Sequence, residues 1–210
     1  MKWFSEVKPL GDIRLPAFMG IRIQMMPVIL GYMDSIPYEL RHFRETILRI
    51  FCLMDQKHIG QTGYLTIDEK FVRFGQFHRR SGLHVDAGGW GGSGPRHPAA
   101  SADNGMIVTQ SHEHTVAYHQ AFEGEIGEEG DCKCLRRQAI APNPLKAFKA
   151  YWLSGLTVHG HISPMLQDTA RQFVRLSLPS DAPWFDGYTE NPLGVKPTGP
   201  VLPRRKFMDL

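Results

Sequence analysis

The chain has 210 residues, a length for one domain with extensions, long enough to bury a core without cross-links. Hydrophobic residues at 42% exclude a disordered polymer, and Gly 21 with Pro 15 favours a turn-rich β protein over a helical bundle. A formal charge of +3 is too small to argue for a nucleic-acid partner, and the short basic clusters (Arg79-Arg80, Arg136-Arg137, Arg204-Arg205-Lys206) read as solvated surface.

Met1-Lys2-Trp3-Phe4 runs at once into Ser5 and Glu6, with no apolar run to make a signal peptide. The stretch from Met25 to Leu30 is too short to cross a bilayer. Cys52, Cys132 and Cys134 do not form a disulfide framework, and the latter two read as reduced thiols in a loop. A cytoplasmic protein with no membrane contact is expected.

In chain order, residues 1–60 read as an N-terminal extension and a supporting helix. Leu40, Phe43, Ile47, Ile50 and Met54 recur at helical spacing, which predicts a helix from Ile36 to Met54. Ser35 offers its cap, and Pro37 and Glu39 suit its first turn. Residues 61–180 read as a β-barrel core of short strands: Tyr64–Ile67, Phe71–Phe77, Met106–Thr109, Thr115–Tyr118, Tyr151–Val158 and Gln172–Leu178. Met106–Thr109 and Thr115–Tyr118 are expected to pair across the turn near His112. The glycine-rich run Gly88-Gly89-Trp90-Gly91-Gly92 lacks the lysine and helix of a phosphate loop and reads as a flap, with Trp90 as a lid residue. Residues 181–210 form a Pro/Gly-rich tail that cannot be a central strand and wraps the barrel. The expected class is mainly β with a flanking helix (α+β), a jelly-roll or cupin-like barrel.

Three elements carry chemistry. In His84-Val85-Asp86 an extended backbone projects the imidazole and the carboxylate to one side, next to the glycine-rich loop. Far downstream, an apolar run from Tyr151 ends at His159. In Arg171-Gln172-Phe173-Val174-Arg175-Leu176-Ser177, both arginines share one strand face, where a buried guanidinium needs an anionic partner. A dicarboxylate ligand would supply one.

His84-x-Asp86, the distant His159 and Arg175-x-Ser177 resemble the Fe(II)/2-oxoglutarate-dependent oxygenase superfamily over Tyr64 to Ser177. The resemblance implies a double-stranded β-helix with Fe(II) held by His84, Asp86 and His159, which leaves open coordination positions. It also implies 2-oxoglutarate as cosubstrate, chelating iron through its keto-acid end while its far carboxylate meets Arg175 and Ser177. Its conversion to succinate and CO2 would drive oxidation of a small-molecule substrate, with no catalytic residue beyond the metal ligands. Arg175 is preferred to Arg171 because Ser177 completes the pattern, and His159 to His161 because it ends the apolar run. Arg171 stays as second anchor, substrate contact or salt-bridged structural residue.

Two rival readings remain. His112, His114 and His119 faintly resemble a cupin metal site, which would bind metal and ignore 2-oxoglutarate. A non-catalytic β-barrel would serve as an interaction module. His42, His58, His78 and His97 read as surface or loop residues.

Overall fold

The computed structural model describes residues 1–86, 105–127, 130–161, 163–179 and 183–203. The glycine-rich run with Trp90, His97 and the Arg204-Arg205-Lys206 cluster lie outside these residues. The described residues are mainly β, as the turn-rich composition predicts, with antiparallel sheets and one α-helix among them.

The N-terminal third holds more strand than the sequence suggests. β1 (Lys2–Ser5), β2 (Val7–Asp12) and β3 (Arg22–Ile29) precede the helix. β2 carries Pro9, which an edge strand tolerates, and it is an edge of the large sheet. The helical spacing from Leu40 to Met54 is real, because all five predicted residues are buried. The expected helix from Ile36 is nonetheless too long. Residues Tyr38–Phe43 form a 3-10 turn with Leu40 off helical geometry, and only α1 (Arg44–Leu53) is α-helical. Ser35 does not cap it; its hydroxyl is used by Ile29 and Tyr32.

β4 (Thr62–Val72) is one long strand, so the predicted break after Ile67 is absent and the strand ends before Arg73 rather than at Phe77. It is followed by β5 (Gly82–His84), β6 (Met106–Gln110), β7 (Thr115–Tyr118), β8 (Gln120–Glu123), β9 (Pro142–Pro144) and β10 (Lys149–Leu153). β11 (His159–His161), β12 (Thr169–Ser177), β13 (Trp184–Phe185) and β14 (Val201–Leu202) complete the order. The predicted strand Tyr151–Val158 is interrupted. A turn at Ser154, closed by Thr157 N–H to Ser154 O (3.0 Å), separates β10 from β11, so His159 opens a strand instead of ending one.

The large sheet runs β2-β10-β6-β12-β4-β3, and a smaller one runs β11-β7-β9. β6 and β7 are not a hairpin. β6 pairs with β10 and β12, whereas β7 pairs with β11 and β9. The turn at residues 111–114 therefore carries the chain from one sheet to the other. β5 lies beside β11 through the Ser81–His161 bridge and extends the small sheet.

Alternation along β12 separates two interiors. Val174 and Leu176 join Leu65, Ile67 and Ile107 and pack against Ile47 and Ile50 of α1. On the opposite face Phe173 meets Val108, Tyr151 and, from the small-sheet side, Ala117 and Leu145. A third cluster on the outer side of the small sheet holds Leu83, Val85, Val116, Val158 and Cys132. The three cysteines are free; Cys132 is buried, and burial pushes its thiol up to about 12. The C-terminal segment carries the short parallel pair β13 and β14, and Trp184 packs on Met25 and Tyr64. No helix among the described residues is long and apolar enough to cross a membrane.

Candidate metal centre

Strand phase brings the first pair of side chains together. Leu83 and Val85 are buried in the outer cluster, so His84 and Asp86 turn to the space between the sheets. His159 arrives from β11 on the neighbouring strand, its ring centroid 4.5 Å from that of His84. His84 Nε2 is 3.9 Å from Asp86 Oδ1, and His159 Nε2 is 3.8 Å from Asp86 Oδ2. One ligand atom from each of the three lies within 4.8 Å of the other two. These separations are too long for hydrogen bonds. They need an inward shift of under about 1 Å per atom to meet an ion at the ~2.0–2.2 Å typical of N and O ligands.

Two glycines that sequence reasoning passed over make this approach. A Cβ on Gly160 would stand 2.0 Å from the carbonyl oxygen of Gly82, and one on Gly130 would stand 2.0 Å from that of Val85. Only bare backbone lets β11 on one side and residues 130–132 on the other close on the His84-Val85-Asp86 segment. Val85 N–H donates to Gly130 O and Cys132 N–H to Leu83 O, both at 2.9 Å. The contacts are far apart in sequence, so the only available signal was glycine between two histidines in His159-Gly160-His161.

Both imidazoles are oriented by backbone carbonyls. His84 Nδ1 donates to Gly82 O (3.2 Å) and His159 Nδ1 to Thr157 O (2.8 Å), since a carbonyl only accepts. Each Nε2 is thereby left with its lone pair facing Asp86, the tautomer fixing that metal-bound histidines usually show. Burial, followed by the neighbouring His159, lowers the pKa of His84 to about 3, so the ring is neutral at physiological pH. Burial raises the pKa of Asp86, but Arg175, His159 and His84 outweigh it and hold the carboxyl well below the usual carboxylate range.

The two arginines have different company. Arg175 NH1 meets Asp86 Oδ2 at 2.5 Å, and its NH2 donates to Met25 Sδ at 3.1 Å. Ser177 Oγ lies 3.9 Å from the same sulfur. Arg171, fully buried, donates to three neutral acceptors: Gln110 Oε1 (2.6 Å), Thr115 Oγ1 (3.3 Å) and His161 Nε2 (3.0 Å). Its Nε has no hydrogen-bond partner. Burial and the nearby Arg79 lower its pKa to about 10, which leaves it charged at neutral pH. His161 is thus engaged by Arg171 and stands outside the triad.

Two surface expectations are corrected here. His78 is buried, its Nε2 3.4 Å from Asp68. Arg79 is no solvated residue: it pairs with Asp68 at 3.0 Å and lies over the Phe173 ring at 4.6 Å. Folding back from β4 explains both, because the chain after Val72 returns His78 and Arg79 to Asp68 of that strand. The rival histidines do not assemble. His112 bonds Ser111, while His119 accepts from Val7 N–H and stands edge-on to Phe4. Among the described residues only His84, Asp86 and His159 group as metal ligands.

Comparison with protein-family models, curated proteins and solved structures gave no match.

Proposed function

We propose that this chain is an Fe(II)- and 2-oxoglutarate-dependent oxygenase, with His84, Asp86 and His159 as the metal ligands. The observation that carries the reading is the convergence of two Nε2 lone pairs and one ionised carboxylate, with both imidazoles oriented by backbone carbonyls. Two imidazole nitrogens and one carboxylate suit a divalent first-row metal with open positions. Strand alternation supports the double-stranded β-helix. The order β10-β6-β12-β4 in one sheet faces β9-β7-β11 with β5 in the other, and between β4 and β7 each step changes sheet.

Arg171 is the better anchor for the far carboxylate of 2-oxoglutarate. Arg175 already touches a proposed metal ligand, so a five-carbon chain has no room between metal and guanidinium. Arg171 lies deeper, beyond His161, and its partners are neutral. A buried guanidinium without a carboxylate is costly, and an incoming anion relieves that cost. Thr115 and Gln110 add polar groups beside Arg171. When bound, iron with 2-oxoglutarate supplies oxidative decarboxylation to succinate coupled to oxidation of a substrate. The protein's part is to hold the His84 imidazole neutral, orient both rings, keep Asp86 ionised and shield the centre between two sheets.

The test is succinate formation from 2-oxoglutarate with Fe(II) and oxygen, in wild type and Asp86→Ala. Turnover should occur in the first and vanish in the second. Equal turnover in both removes Asp86 from the site and the reading with it.

A further inference from the structure

Between the triad and the C-terminal segment lies an arrangement that the metal-ligand reading does not use. Met25 is buried with φ +52°, a left-handed backbone conformation that L residues with a Cβ rarely adopt. It occupies a bulge in β3, where the register with β4 shifts between Ile23 and Met26. Three contacts hold the bulge. Met25 N–H donates to Thr66 Oγ1 (3.2 Å), Trp184 Nε1 donates to Met25 O (2.8 Å), and Gln24 N–H donates to Thr189 Oγ1 (2.9 Å). An asparagine or glycine would take this conformation more cheaply, so the thioether itself is what the bulge delivers. It delivers the sulfur to Arg175 NH2, and Arg175 NH1 in turn grips Asp86 Oδ2.

We infer that Arg175 is a positioning residue of the metal centre, fixed by Met25, that engages Asp86 Oδ2 in a charge-assisted bond and so leaves Oδ1 as the oxygen free to bind a metal. The inference rests on the metal reading above. A carboxylate that is free at both oxygens can chelate an ion through both, which fills a coordination position. With Oδ2 held in a charge-assisted bond, Asp86 supplies one ligand atom, and the position remains open for a bidentate ligand. This role differs from anchoring a distal carboxylate, because it acts on any chelator, whatever its far end carries.

The probe is therefore oxalate, which chelates a metal and has no distal chain, beside 2-oxoglutarate, both titrated anaerobically into Mn(II)-loaded protein. Arg175→Gln should weaken both ligands together, by about 10-fold to 100-fold, the usual cost of losing an outer partner of a metal ligand. Arg171→Gln should weaken 2-oxoglutarate and leave oxalate within twofold of wild type. Arg175→Lys, which keeps a cation able to reach Oδ2, should recover most of the oxalate affinity. Met25→Leu, which removes the sulfur with little change of volume, should shift both ligands severalfold in the same direction, and it serves if Arg175→Gln does not fold. Arg175→Gln weakening 2-oxoglutarate while sparing oxalate would overturn the inference and make Arg175 a direct anchor. No change in either ligand would overturn it too. A wild type that takes up no Mn(II) would remove the metal reading itself, a result distinct from both.

Discussion

The two faces of β12 serve opposite ends. Toward α1, Val174 and Leu176 enter a cluster with Ile47, Ile50, Leu65 and Ile67. Toward the small sheet, the same strand buries Arg171 and inclines Arg175 to Asp86, with Phe173 as the only large apolar side chain between them. The first face is an ordinary hydrophobic core worth ~1.5–3 kcal/mol per large side chain. The second burdens the fold with charge that a bound metal and anion would offset. Stability and proposed function are thus divided across one strand, and changes on the two faces should behave differently.

The largest effect is expected on the apolar face. Leu176→Ala should cost ~2–5 kcal/mol, read as a fall in denaturation midpoint, with Mn(II) affinity of the folded protein unchanged. Loss of metal binding at full folding would show that the faces are not separate.

Gly160→Ala comes next. The added Cβ meets the Gly82 carbonyl, so ~1–3 kcal/mol of overpacking is expected together with a displaced β5. Metal affinity should fall more than stability does, and a variant that binds metal normally would show that the close approach is not needed.

Acid should strike the polar face first. His78, His84 and His161 are all depressed below their ordinary value, chiefly by burial. Below pH ~6.5 the unfolded chain takes up protons that the folded one refuses, so stability falls with pH at up to ~1.4 kcal/mol per unit per histidine. Asp68 and Asp86 are depressed as well, so their contribution is lost only below the ordinary carboxylate value of 3.8. A melting temperature in chelator that is flat from pH 6.5 to about 4.5 would contradict the burial of these rings as neutral groups.

Asp86→Ala should have the smallest effect on the fold. It relieves no repulsion, because Arg175 balances the carboxylate, and it removes the carboxylate that this guanidinium holds. A loss of ~1–3 kcal/mol without metal is expected, against complete loss of metal-dependent turnover.

What the sequence revealed follows from local period. A period of two placed His84 with Asp86 and Arg171 with Arg175, and a period near 3.6 marked the buried face around α1. Pairing is not local, so the sequence suggested a β6–β7 hairpin where the chain changes sheet, and it gave no sign of β1 to β3. The glycines at 130 and 160 act through backbone contacts with residues 82 and 85, and Met25 acts on Arg175 across 150 positions. The proposed choice between the two arginines rests on distances the sequence does not carry, and Ser177, which favoured Arg175 in sequence, lies beside the Met25 sulfur.

The central claim is that His84, Asp86 and His159 bind a metal that receives 2-oxoglutarate. Anaerobic titration of the protein with Fe(II) and then 2-oxoglutarate tests it most directly, by the weak visible charge-transfer band of the chelated keto acid. The account predicts that the band appears in wild type, is absent in Asp86→Ala, and needs far more 2-oxoglutarate in Arg171→Gln. A wild-type protein that binds Fe(II) without developing the band, or an Asp86→Ala protein that develops it fully, would contradict the account.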